Sequence, residues 1–215
     1  MSAPTTSVQI CNLALARIGA APISSIDSPT TSIEEFLSVQ YHQTRQAALR
    51  EYVFAFARRL AILPTTDDIE PAFGYSSAYH KPAGFIRFLG LGDTSFKNGD
   101  VPANLVRLSE VYIFTDYGDD DGLKADFIFD NDNVGQWDPL FKEVVVLRLA
   151  KALAPKYAVG KTSLRAEIKE DLKMAEMAAA AASGQESPPR VVQRSDILAV
   201  RKRGMGRSDN TRITF

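Results

Sequence analysis

Apolar positions in the first sixty residues recur at helical spacing. Val8, Ile10, Leu13, Ala14 and Ile18 share one helix face, and Thr6-x-x-Gln9 ahead of them has the form of a capping box. Gly19 stands where a left-handed cap would end that helix, and Pro22 keeps it ended. A second box is expected at Ser32-x-x-Glu35. It opens a long helix with Leu37, Tyr41, Ala48, Leu49, Tyr52, Val53, Phe56 and Leu60 inward, closing before Pro64.

From about Asp67 the period shortens. Gly, Pro and Asn punctuate the β-prone runs FIRFLGL from Phe85, LVRLSEVYIFT from Leu105 and LKADFIF from Leu123. In the last run Leu123, Ala125, Phe127 and Phe129 alternate with Lys124, Asp126 and Asp130, the pattern of a strand with one buried face.

Helix returns at Asp138, a good N-cap, followed by Pro139 at the first helical position. Between Pro139 and Val159 the apolar residues point in nearly every direction around the axis, so this helix is expected to be buried all round. Two settings satisfy that expectation. The helix is the centre of its own core, or it packs against a neighbouring subunit as well, with Phe141, Val145 and Leu149 at the subunit contact. After Gly160 a further helix carries Leu164, Ile168, Leu172 and Ala175 on one face, decays into an alanine run and gives way to the linker SGQESPP.

The expected fold is therefore α+β: mainly an α-helical bundle with an inserted small antiparallel β-sheet region and an extended C-terminal tail. Residues 1–66 and 136–182 would form the discontinuous bundle, 67–135 the β-rich insertion, and 183–215 the linker and basic tail.

Composition adds two points. A 215-residue chain with 45% hydrophobic and 24% charged residues is that of an ordinary soluble globular protein. It has no apolar run long enough for a membrane span, no recognisable secretory signal in MSAPTTSVQ, and Cys11 as its only cysteine. The net charge of −1 hides a split, because Ser187 to Phe215 carry +5 and residues 1–186 therefore −6.

Candidate chemistry is sparse. In DNDNVGQWDPLF an EF-hand loop starting at Asp130 would fit at Asp132 and Gly135, but Val134 and Phe141 occupy ligand positions, and DYGDDDG has Tyr117 at its first position. These acids are read as a turn and a helix cap. VGKTS, with Lys161 and Thr162, resembles the end of a phosphate-binding loop, yet Pro155 stands where that loop requires its first glycine. His42 and His80 lack ligand spacing, and Cys11 on a helix face is expected to be a buried thiol. No catalytic, cofactor-binding or metal residue is assigned. In the tail, Ile197, Leu198 and Val200 beside Arg194, Arg201, Lys202 and Arg203 suit either nucleic acid, through the cations, or a protein edge that accepts an added strand.

Four stretches together resemble a known family. NLALARIGAAPISSID at Asn12–Asp27, YHQTRQAALREYVFAFARRLAILP at Tyr41–Pro64, AYHKPAGF at Ala78–Phe85 and WDPLFKEVVVLRLAKALA at Trp137–Ala154 are similar, in order and spacing, to the tail tubular protein A group of head-to-tail adaptors from short-tailed bacteriophages. Phe54 stands where that family commonly has Trp, and Gly84 where it has Asp. The resemblance implies a non-enzymatic virion protein: a homo-oligomeric ring of twelve that docks on the portal protein, meets a tail nozzle or other tail proteins, and passes viral DNA through its lumen without sequence-specific binding. It implies the head–tail interface of the virion, and the host cytoplasm during assembly, as the location. The tail residues from Arg194 to Arg203 would then face the portal. A nucleotide-dependent enzyme built on VGKTS, and a DNA-binding accessory protein built on the tail, are the competing readings.

Overall fold

A computed structural model describes residues 4–71, 74–91, 94–95, 106–118 and 121–186. It is an α+β arrangement in which four helices enclose one core and two small antiparallel sheets enclose another.

Helix α1, Ser7–Ile18, starts on the Thr6/Gln9 capping box and ends on Gly19 at φ 69°. Helix α2, Ser32–Glu51, begins one residue earlier than the pattern suggests: Thr31 is the N-cap, and Glu34, not Glu35, closes the box. Burial explains the choice. Glu34 is 3% exposed, and its carboxylate accepts from the N–H and hydroxyl of Ser24, the N–H and hydroxyl of Thr30 and the N–H of Thr31. Glu35 faces solvent and gathers no such set of donors.

The expected continuation of this helix to Pro64 does not form. The chain leaves helix at Tyr52, makes a 3-10 turn at Ala55–Ala57 and becomes strand β1, Arg58–Leu63. Leu60, expected inward on a helix, is 72% exposed on that strand. Strands β2, Ser77–His80, β3, Phe85–Leu91, β4, Thr94–Ser95, β5, Val106–Leu108, β6, Tyr112–Thr115, and β7, Leu123–Phe129, complete the sheets. Their orders are β1-β7-β3-β4 and β2-β6-β5.

The larger sheet is the middle layer. Phe88 and Phe127 turn toward Tyr79, Val106 and Ile113 of the smaller sheet, while their neighbours Leu89 and Ile128 turn into the helical core. Alternation along β7 is thus buried on both faces at its C-terminal end. Helix α3, Pro139–Tyr157, starts on the Asp138 cap, and helix α4, Thr162–Glu186, returns alongside it.

The hydrogen bonds to Glu34, the Thr30 N–H first, hold its carboxyl at about 2 against an ordinary value of 4.5. A carboxyl lowered on folding contributes stability above its unfolded value and loses it as pH falls toward the folded one. Glu34→Gln, whose amide can accept on only one side, is expected to melt below the wild type at pH 7. The gap should close as pH is lowered from about 4.5 toward about 2. Melting curves of both proteins across that range check this, and a gap independent of pH would contradict it.

Candidate functional site

The acid-rich segment after β7 is the joint between sheet and helices. Asp130 receives Arg45 from α2: Nε donates to Oδ1 at 2.8 Å and Nη2 to Oδ2 at 2.7 Å, with Gln46 Nε2 adding a bond to Oδ2 at 2.9 Å. Side-chain exposure is 7% for Arg45 and 16% for Asp130, so this is a largely dehydrated, bidentate pair. The Asp130 N–H donates to the Gly84 carbonyl at 2.7 Å, and Gly84 at φ 70° holds a left-handed turn there.

Asn131 is the second fastening. Its Nδ2 donates to the Phe56 carbonyl at 2.8 Å and to Gln136 Oε1 at 3.0 Å, and its Oδ1 accepts the Asn133 N–H at 3.0 Å. Its backbone carbonyl accepts the indole N–H of Trp137 at 2.9 Å. Asn133 caps the short turn at 134–136, and Asp138 accepts the Leu140 N–H at 2.7 Å to begin α3. Asp130 faces a guanidinium, Asp138 accepts a backbone N–H, and the Asn131 and Asn133 side-chain oxygens accept backbone N–H groups. Among the described residues no group of three or more His, Cys, Asp or Glu side chains is placed to hold a metal ion.

Aromatic rings continue the joint inward. Trp137 lies parallel to Tyr41, with ring centres 6.3 Å apart, and edge-on to Phe141 at 5.1 Å. Phe141 also meets Phe54 at 5.8 Å and Phe56 at 5.1 Å.

Phe141, Val145 and Leu149, the expected subunit contact, are each 0% exposed in the core of their own protomer. That expectation is corrected: α1, α2 and α4 already surround α3, so these side chains have no surface to offer a neighbour. The charges on α3 serve the same enclosure. Glu143 pairs with Arg17 of α1 at 2.6 Å, and Arg148 meets Glu51 of α2 at 2.5 Å and Glu176 of α4 at 2.8 Å. Beside Arg148 lies an open, shallow groove, lined by Gln40, Gln43 and Thr44 of α2, Lys151 of α3 and Leu172 of α4.

Val159–Lys161 of VGKTS form the turn between α3 and α4, closed by the Lys161 N–H on the Ala158 carbonyl at 3.3 Å, and Thr162 and Ser163 begin α4. Pro155 lies inside α3, so no glycine loop precedes the lysine. The Lys161 amine sits beside Gly19, 3.5 Å from where a Cβ on that glycine would be. There it faces the carboxyl end of α1, where positive charge is favoured.

The remaining candidates stay apart. His80 Nε2 is 2.8 Å from Asp68 Oδ2 at the surface, whereas His42 lies edge-on to Tyr41 on α2. Cys11 is fully buried, and burial pushes its thiol up to about 12, so it remains protonated and inert. The tail candidates Arg194, Ile197, Leu198, Val200, Arg201, Lys202 and Arg203 lie outside the described residues. Exposed apolar side chains that the sequence reading missed stand on β1, at Leu60 and Ile62, and on α4, at Met174 and Met177.

No protein-family model matches the chain, and no curated protein matches it.

Removing one partner of a buried ion pair leaves the other charge uncompensated, so Asp130→Ala is expected to lose about 3 kcal/mol of stability in urea denaturation. Millimolar calcium should leave the wild-type melting temperature unchanged. A calcium-dependent rise abolished by Asp130→Ala would instead make the joint a metal site. ATP with magnesium is likewise expected to leave the melting temperature of the wild type and of Lys161→Ala the same. A rise confined to the wild type would restore the nucleotide reading.

Proposed function

We propose that the chain is a structural virion protein, a ring-forming head-to-tail adaptor that docks on a portal and forms part of the DNA passage. One observation carries this reading. Three of the four stretches similar to that adaptor family, distant in sequence, meet in one joint: Arg45, Phe54 and Phe56 from the second, Gly84 from the third, and Trp137 and Phe141 from the fourth. Helix α1, within the first stretch, packs on α3 and adds the Arg17–Glu143 pair. The similar stretches therefore supply the partners that Asp130 and Asn131 fasten in setting sheet against helices, an arrangement that a ring subunit must keep constant.

Two further features agree with the role. A body of charge −6 repels the phosphate backbone, so DNA slides past it rather than adhering. Gly84, at the position where the family has Asp, has a left-handed backbone that Asp and Asn also tolerate better than most residues, so the substitution keeps the turn. In this reading the helices act as one discontinuous bundle interrupted by the β region. The segment around Arg194–Arg203 reaches toward the portal, tail proteins meet the opposite side, and no catalysis, cofactor or metal is involved. The protein's place is the head–tail interface, reached after assembly in the host cytoplasm.

Electron microscopy of the purified protein mixed with portal rings tests this. Twelve copies in a closed ring on the portal are expected, and deletion of residues 190–215 should abolish docking while sparing the melt of the body. A strictly dimeric protein in the presence of portal would overturn the reading.

A further inference from the structure

Helix α4 carries opposite charge on its two long sides, and one of those sides borders the groove beside Arg148. We propose that this groove receives α4 of a second copy of the chain, so that copies join head to tail. The contact names the surfaces through which the ring proposed above would close, and to that extent rests on that reading.

The groove has α3 as its floor and α2 and α4 as its walls. Leu172 and Glu176 mark the side of α4 that borders it. Residues one or two helical turns from these share that side, which places Arg165, Lys169 and Lys173 along it. Lys151 stands on the floor. All four cations are exposed, and none is paired with an acid among the described residues. Glu51 and Glu176 do not neutralise them, because both are taken by Arg148. Exposed positive charge is thus concentrated here on a body that carries −6.

The opposite side of α4 is acidic. Asp171 faces α1, with Arg17 at 3.8 Å, and Glu167 stands one turn before it. Arg17 is drawn mainly to Glu143, at 2.6 Å, so Asp171 and Glu167 keep most of their charge for another partner. Between the two sides the crest of the helix runs from Glu170 through Met174, Met177 and Ala181, all exposed.

Laid in a neighbour's groove, α4 sets its methionines over Ala47 and Ala152 of the lining and its acids beside Lys151, Lys169 and Lys173. Opposite charges across the contact favour this pairing and make it sensitive to salt. A single pair of copies cannot use both sides of each helix. Every contact consumes the basic side of one copy and the acidic side of the next, which leaves a free side at each end. That is the condition for a ring or a filament, not for a closed dimer.

Sedimentation of the purified full chain, alone and mixed with portal rings, tests the contact. The wild type is expected to form species larger than a dimer at low salt and to lose them at high salt. Lys169→Glu/Lys173→Glu and Glu167→Lys/Asp171→Lys should each weaken association by about tenfold or more. Both should melt like the wild type, since all four side chains are exposed. Mixed in equal amounts, the two variants should associate again, because each meets the other's reversed side. Association unchanged by the reversals, no recovery in the mixture, assembly that stops at a dimer, or no association in either setting would each overturn the proposal. Rings on the portal that tolerate both reversals would keep the adaptor reading and reject this contact. Charge-dependent association without docking on the portal would keep the contact and reject that reading.

Discussion

The buried pair of Arg45 and Asp130 is the constraint on which the rest of the arrangement hangs. Dehydrating two charges is costly, and the cost is offset only where geometry is close to ideal. Here both guanidinium donors meet both carboxylate oxygens, and Gln46 fills a further lone pair. The pair fixes where β7 ends relative to the middle of α2. From that point Asn131 holds the Phe56 carbonyl, Trp137 reaches back to Asn131, and Asp138 starts α3. A shift of one residue in the pair would move each of these contacts, and with them the direction in which α3 enters the core.

Much of this was legible in local sequence, and what was not depended on partners far along the chain. The caps of α1 and α3 are set by residues within four positions of each other, so Thr6, Gln9, Asp138 and Pro139 announce them. The second capping box slipped by one because Thr31/Glu34 and Ser32/Glu35 satisfy the same pattern. Only the donors at Ser24 and Thr30 choose between them. The sequence of strand β1 fits a helical pattern for a related reason. In a window as short as RRLAIL, Leu60 and Leu63 fit helical spacing as well as Leu60 and Ile62 fit alternation. The decision is made by pairing with β7, sixty or more residues later, where Arg58 finds Asp126 at 2.7 Å. That charged contact, about as tight as the one at Asp130, raises the already high affinity of Arg58 for its proton.

The joint itself left a fainter trace. Tyr41, Arg45 and Leu49 are spaced four apart, so a cation sits between two inward positions, and a cation there implies a buried acid somewhere. Nothing in the sequence says that the acid is Asp130 rather than Asp132, two residues on and exposed to solvent. Arg148 poses the same problem on α3. Its position among apolar residues looks anomalous until α2 and α4 bring Glu51 and Glu176 to it from two sides.

The enclosure of α3 decides where contacts between copies have to be sought. A helix with apolar residues on every side suggests a wedge between subunits, but α1, α2 and α4 cover most of that surface within one protomer and leave Leu140 at the first turn exposed. Open apolar side chains stand on several other elements, at Leu13 of α1, Val39 of α2, Leu60 and Ile62 of β1, and Met174 and Met177 of α4. From Met174 to Gln185 the only charge on α4 is Glu176, and it turns inward to Arg148. The alanines there sustain helix by intrinsic preference, without needing a neighbour to hold them. They do not account for Met174 and Met177, which stand 59% and 60% exposed. Flexible thioethers beside small residues adapt to a partner's shape at little cost in fit. An assembly of this chain would therefore be built on its periphery, with the buried helix serving only to keep that periphery rigid.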